Sequence, residues 1–224
     1  MDLVVLVVIT FVAATVNGAL GYGFSSITVP VALLFYTNRI LNPALVLVEL
    51  VINGYVLFIN RKSIPNIWWR VAPILIGLLI GVAIGSYILS LVHPSWVKFV
   101  TYFMLLPLIL LQAAGIRKPI RAEKAIAIPF GVGIGTLYSV TTISGPPLAL
   151  LFNNQGYVKQ DFRAALGVIR VGEAVMTGIA YYFIGLYNYA SIVPSVLLGI
   201  PLGSYLIRWM DPETFRRICM AFDA

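Results

Sequence analysis

Charged residues, cysteine and histidine are all scarce in this chain. Only 10% of its 224 residues are charged, whereas a soluble domain carries roughly 25%. The single cysteine, Cys219, excludes an internal disulfide and a thiolate metal site. The single histidine, His93, falls in a predicted loop and leaves little for histidine-based catalysis. Because 60% of the residues are hydrophobic, the composition indicates an integral membrane protein in a lipid bilayer.

Seven apolar runs follow one another, at 3–36, 40–60, 71–92, 95–114, 125–152, 164–186 and 189–209. A membrane-spanning helix needs about 20 residues, so the second, third, fourth, sixth and seventh runs predict ordinary spans. The first and fifth runs are longer, and glycine or proline interrupts each near its middle, at 17–23 and 131–147. Each of these two runs is either a single broken crossing or a re-entrant hairpin.

Basic residues between the runs distinguish the two interpretations. The net charge of +7 does not indicate nucleic-acid binding, because the basic residues lie in short loops between apolar runs. If every run crosses once, the fourteen Lys and Arg residues other than Arg170 (fifteen minus one) divide seven to seven. If the first and fifth runs are hairpins, they divide twelve to two, with Arg39 and Lys98 in the minority. The positive-inside rule favours the hairpins, with the N-terminus outside the cell membrane and the basic loops cytoplasmic.

An internal repeat links the two halves. Residues 18–35 (GALGYGFSSITVPVALLF) match 135–152 (GTLYSVTTISGPPLALLF) at seven of eighteen positions, and 81–99 resembles 199–217 around a shared Gly-Ser-Tyr. The first unit, 1–114, is a hairpin followed by three spans. The second, 125–224, would enter from the opposite face, because three crossings are an odd number. The predicted fold is therefore an all-α polytopic membrane protein with an inverted repeat, an architecture that many secondary transporters share.

The last span of the second unit is short. The segment that corresponds to the 95–114 span is 212–224. Its thirteen residues cover about 20 Å of a roughly 30 Å hydrocarbon core. Either most of an eighth helix is missing or this partial helix lies at the cytoplasmic interface. The acidic and basic residues after Pro212 favour a truncated last span.

These features resemble the TauE/SafE family of sulfite and organosulfonate permeases. The resemblance rests on GALGYGFSSITVP, on its echo GTLYSVTTISGPP, on Asn60-Arg61 after the second span, and on the two G-x-x-x-G-S-Y helices. It covers the whole chain, although the family usually completes the eighth span. It implies export or uptake of small sulfur-containing anions such as sulfite, thiosulfate or organosulfonates, and it implies no cofactor.

The two breaks are the predicted substrate site. A helix that begins at the membrane centre presents unpaired N–H groups and about half a positive charge, which together attract an anion. Ser144 is a suitable N-cap before Pro146 and Pro147. The competing interpretation is that these glycines only allow close helix packing. The candidate anion-binding residues at the breaks are Gly21, Tyr22, Gly23, Ser25, Ser26, Thr141, Thr142, Ser144 and Gly145.

Two glutamates, Glu49 and Glu173, lie near the middles of corresponding spans, each with a polar residue four positions later, Asn53 and Thr177. Intramembrane carboxylates are costly and usually functional, so one or both are candidates for coupling anion movement to protons. The alternatives are a local Glu173–Arg170 ion pair and a protonated Glu49 that only packs. Asn53 and Arg170 are further substrate-binding candidates, and Arg170 is also close enough to the membrane surface to snorkel.

Other functions remain open. A channel, or a transporter of a carboxylate or another oxyanion, is the nearest alternative, but no selectivity ring is visible. An intramembrane enzyme would need a nucleophile–base pair or a metal cluster, and the spans supply neither. The protein is therefore predicted not to be an enzyme. The pattern leaves the exact substrate, the direction of transport and the oligomeric state open, a homo-oligomer included.

Overall fold

The computed structural model describes residues 2–113, 123–155 and 157–189, and these are helical apart from short connections, with no strand among them. The predicted 189–209 span (apart from Tyr189) and the partial helix 212–224 lie outside the described residues. The helices are α1 (Asp2–Leu20), α2 (Phe24–Ala32), α3 (Asn38–Asn60), α4 (Ile64–Leu91), α5 (Pro94–Ala113), α6 (Glu123–Thr141), α7 (Gly145–Asn154) and α8 (Lys159–Ile184). Single 3-10 turns occupy Arg61–Ser63 and Leu186–Tyr189.

Both predicted interruptions are present. Between α1 and α2, Gly21 and Gly23 adopt φ angles of 83° and 107°, a left-handed region that glycine adopts without strain because it has no Cβ. Between α6 and α7, the break includes Thr142 at φ 59°, the one non-glycine residue with positive φ in the described chain. Proline in the first turn of α7 then suits a new helix start, because its missing N–H would be unpaired there anyway. Local backbone chemistry therefore explains why each run divides.

Helices α4 and α6 run parallel and pack backbone to backbone. A methyl group added to Gly81 would overlap the carbonyl oxygen of Val132, and one added to Gly131 would overlap that of Ile74. Gly77, Gly81 and Gly85 of α4 face Gly131 and Gly135 of α6, and the missing side chains let the two backbones approach closely. This pair is the closest-packed part of the described structure.

Helix α3 runs antiparallel to α8. Gly167 of α8 lies against Leu57 of α3. Gly178 lies eleven residues later on α8, and it faces Val46, which lies eleven residues earlier on α3. Helix α4 also packs against α8, so α8 contacts both α3 and α4. The face of α8 that meets α3 carries Arg170 between these two glycines, which brings a charged residue into the centre of the fold.

One face of α4 exposes large apolar side chains. Ile76, Leu79 and Ile80 are each more than half exposed, while the glycines of the same helix face inward. Such an apolar surface suits lipid rather than water. By length and composition, the stretches Asn38–Leu91 and Gln160–Ile184 are long and apolar enough to cross a membrane.

Helix bounds differ from the predicted runs at the polar ends. Residues 61–70, predicted as a loop, form a 3-10 turn and the start of α4, where Pro65 stands in the first turn. Helix α8 likewise begins at Lys159 rather than at 164. Apolar periodicity marks where a helix enters lipid, and a helix can begin before that point.

Candidate functional site

Glu49 is the centre of a buried polar cluster. It lies in the middle of α3 and is fully buried. The Ser25 hydroxyl of α2 donates to Oε1. The Tyr138 hydroxyl of α6 donates to Oε2 at 2.6 Å, and Nη2 of Arg170 in α8 forms an ion pair with Oε1 at 2.7 Å. One carboxylate therefore joins four helices.

Arg170 pairs across the helix interface. Its side chain is 1% exposed, so it does not snorkel to the membrane surface in this structure. Its salt-bridge partner is Glu49, 121 residues away, rather than the neighbouring Glu173. Breaking such a buried pair is costly, because the remaining charge has no water to solvate it.

Glu173 forms a second, simpler contact. The Ser144 hydroxyl donates to its Oε2 at 2.6 Å, while its Oε1 is buried with no hydrogen-bond partner among the described residues. In both halves, then, a serine at or near the break donates to the glutamate of the following long helix. The buried charged side chains of the described chain are these two glutamates and Arg170.

The two breaks meet at this cluster. A methyl group placed on Gly145, the first residue of α7, would lie 3.2 Å from Nη1 of Arg170 and 3.2 Å from Cβ of Tyr22. Tyr22 belongs to the first break, and its ring packs edge-on against Phe162 at 6.4 Å. A guanidinium, the N-terminus of α7 and the first break therefore share one small volume.

The other predicted site residues divide by burial. Ser25, Thr141, Thr142 and Ser144 are buried, whereas Ser26 is partly exposed. Thr141 donates to the Leu137 carbonyl at 2.7 Å and accepts from the Ile143 N–H at 3.1 Å, so its hydroxyl is occupied in stabilising the break.

Asn53 and Thr177 are among the buried polar side chains without a hydrogen-bond partner in the described residues. Both amide atoms of Asn53 and the hydroxyl of Thr177 have no hydrogen-bond partner in the described ranges, and the same is true of Nε of Arg170. Unpaired buried polar groups are rare in native structures, and each needs an explanation. Here they lie on the same two helices as the Glu49–Arg170 pair.

Tyr138 is the participant that sequence reasoning missed. It appears there only within the echo of the first break, with no role of its own. Its hydroxyl within an apolar run was the available signal, but nothing local indicates that it reaches Glu49, 89 residues earlier. Among the described residues, no group of three or more histidine, cysteine, aspartate or glutamate side chains could hold a metal ion.

Comparison with known proteins gives one match. The family model described as "Sulfite exporter TauE/SafE" matches residues 6–223, nearly the whole chain. No curated protein and no solved structure matches the chain. The family match, the apolar outer surface and the long apolar helices agree on a membrane transporter. The chain belongs to the TauE/SafE sulfite exporter family.

Proposed function

We propose that the protein is a secondary transporter of small sulfur-containing anions such as sulfite, thiosulfate or organosulfonates. The anion binds near the membrane midplane, between the N-terminal ends of α2 and α7. Arg170 supplies the positive charge, and Gly145, Tyr22, Ser25 and Ser144 line the position. The protein resides in the cell (inner) membrane with its basic loops in the cytoplasm.

The observation that carries this proposal is the contact between Arg170 and the start of α7. Two sources of positive potential, a guanidinium and a helix N-terminus, lie side by side in a region from which water is excluded. Placing them together is unfavourable unless an anion neutralises them. Glu49 does so in this structure, and the proposed substrate shares that role.

The antiparallel course of α3 and α8 supports a hairpin at the second break. If α6 and α7 formed a single crossing, three crossings would lie between α3 and α8, and the two helices would point the same way. A hairpin removes one crossing and makes them antiparallel, as they are. Two hairpins from opposite faces are the inverted-repeat arrangement used for alternating access.

Access to the site needs movement. Ser25, Glu49, Ser144, Arg170 and Glu173 are each at most 2% exposed, so an anion cannot reach them from either side in this structure. The structure therefore corresponds to an occluded state of the proposed cycle. We infer that the α1–α2 segment moves during transport, while the closely packed α4–α6 pair stays rigid.

Glu173 is the proposed proton carrier. Arg170 forms its ion pair with Glu49, so a charged Glu173 has only the Ser144 hydroxyl as a hydrogen-bond partner in the described chain. A proton on Glu173 removes one buried negative charge from the neighbourhood of the arriving anion. This coupling would make anion and proton move together.

Uptake of radiolabelled sulfite into proteoliposomes tests the transport function. We expect uptake by the unaltered protein and loss of most of it in Arg170→Gln. Arg39→Gln is the matched control, because Arg39 also lies in a helix but away from the proposed site. It donates to the carbonyls of Leu89, Ser90 and Val92, at the end of α4. Uptake that survives Arg170→Gln unchanged would contradict the proposed site, and no uptake of any sulfur anion would contradict the function.

Proton coupling has a separate test. Initial rates are measured against pH for the unaltered protein, Glu173→Gln and Glu49→Gln, with an imposed pH gradient. We expect the gradient to drive accumulation in the unaltered protein and not in Glu173→Gln. Accumulation that follows the gradient equally in all three proteins would exclude the coupling role of both glutamates.

A further inference from the structure

Asn53 lies on the stripe of α3 that faces α8. Val46, Glu49 and Leu57 of this stripe meet Gly178, Arg170 and Gly167 of α8 respectively. Asn53 follows Glu49 by one turn and precedes Leu57 by one turn, so it shares their face. It is 1% exposed. Asn53 therefore lies on the face of α3 that carries Glu49 and meets α8.

The amide of Asn53 offers both a donor and an acceptor. Neither Nδ2 nor Oδ1 has a hydrogen-bond partner in the three segments that the structure describes, and Nε of Arg170 on α8 is also unpaired there. Leaving such groups unsatisfied away from water is strongly unfavourable. A ligand that both accepts and donates hydrogen bonds would satisfy the amide, whereas a ligand with acceptors alone would leave Oδ1 unpaired or facing a negative charge.

Charge limits the ligand in a second way. Arg170 is the one fully buried cation of the described residues, and it already faces Glu49. The next cation along α8, Arg163, stands seven residues earlier, about 10 Å along the helix axis, and is only partly buried. A second negative charge on the ligand would therefore meet Glu49 and Glu173 without a further buried cation.

We propose that Asn53 is a specificity-determining residue, which selects singly charged anions that carry their own hydrogen-bond donor. Hydroxylated sulfonates and hydrogen sulfite belong to this class; sulfate, thiosulfate and sulfonates with a second carboxylate do not. The inference therefore narrows the proposed substrates to hydrogen sulfite and donor-bearing sulfonates. The inference rests on the proposed anion site and adds to it the role of Asn53. The unpaired amide of Asn53 is the group of the protein that would form hydrogen bonds with the ligand.

Three sulfonates of similar size separate the two requirements. Ethanesulfonate has one charge and no donor, 2-hydroxyethanesulfonate adds one hydroxyl, and sulfoacetate adds a second charge instead. Binding is measured on the purified full chain in lipid nanodiscs by calorimetry. We expect 2-hydroxyethanesulfonate to bind roughly tenfold more tightly than ethanesulfonate, since the site would otherwise keep an unpaired polar group. Sulfoacetate should bind about a hundredfold more weakly than 2-hydroxyethanesulfonate.

The variant Asn53→Leu tests the residue itself. In this variant the roughly tenfold preference for 2-hydroxyethanesulfonate over ethanesulfonate should be lost, whatever the absolute affinities. Gly54→Ala is the matched control, because a methyl group on Gly54 meets nothing within 4 Å, and it should keep the preference. The comparison of the three anions on the unaltered protein stands even if Asn53→Leu does not fold.

The results distinguish this inference from the proposed function. Failure of all three sulfonates and of sulfite to bind would overturn both. Equal affinity for ethanesulfonate and 2-hydroxyethanesulfonate, or tight binding of sulfoacetate, would overturn the inference alone. So would a hydroxyl preference that persists in Asn53→Leu.

Discussion

The ion pair between Arg170 and Glu49 makes a quantitative prediction about stability. Replacing Arg170 with Gln removes a guanidinium that is 1% exposed and leaves a buried carboxylate with two hydroxyl donors and no cation. Breaking a buried pair from one side destabilises a protein by about 3–5 kcal/mol. Replacing Glu49 with Gln as well removes the stranded charge. The double variant should therefore recover about 2–4 kcal/mol relative to the sum of the single variants.

Denaturant unfolding in detergent micelles measures these free energies for the unaltered protein, both single variants and the double variant. The coupling energy of the cycle is the quantity of interest, because effects of each side chain on the unfolded state cancel in it. Independent sites add within about 0.5 kcal/mol. A coupling energy no larger than that would refute the buried ion pair, and with it the placement of Arg170 at the centre of the fold.

Three smaller predictions concern local geometry and use thermal unfolding in the same detergent. Gly131→Ala should destabilise the protein by about 1–3 kcal/mol, because its methyl group overlaps a carbonyl of α4; Gly133→Ala, which meets nothing within 4 Å, should be neutral or slightly stabilising. If both substitutions act alike, the close α4–α6 contact is wrong. Gly23→Ala should cost about 1–2 kcal/mol, because φ of 107° suits glycine alone, whereas Gly54→Ala should not; equal stability of the two variants would argue against the break. Tyr138→Phe should cost about 1–2 kcal/mol through the lost hydrogen bond to Glu49, and an unchanged melting temperature would remove Tyr138 from the cluster.

The breaks could be predicted from sequence because their causes are local. Gly21 and Gly23 permit positive φ angles, and Pro146 suits a first helical turn, whatever surrounds them. The glutamates could be found for a similar reason. A carboxylate in an apolar run is unusual, whichever helices lie next to it. In both cases, the residue type itself carries the information.

The partners of these residues could not be predicted. Arg170 has a glutamate three positions away on its own helix, yet it pairs with Glu49 on α3. Periodicity places a side chain on a helix face but does not say which helix lies opposite. The glycines of α4 recur every four residues, a spacing that permits close packing but does not identify α6 as the neighbour.

The starts of α4 and α8 were predicted too late for a related reason. Apolar runs record the lipid boundary, whereas a helix extends as far as its backbone hydrogen bonds do. Pro65 was a visible start signal within the basic stretch before α4. The inverted repeat remains a prediction, and the matching serine–glutamate contacts in the two halves support it.

The position of a bound anion tests the central claim most directly. Selenite is a close analogue of sulfite, and its selenium gives an anomalous diffraction signal that locates it without ambiguity. We predict one strong peak within hydrogen-bonding distance of the Arg170 guanidinium, between Gly145 and Tyr22. A peak elsewhere in the protein at saturating selenite, with none at that position, would contradict the account.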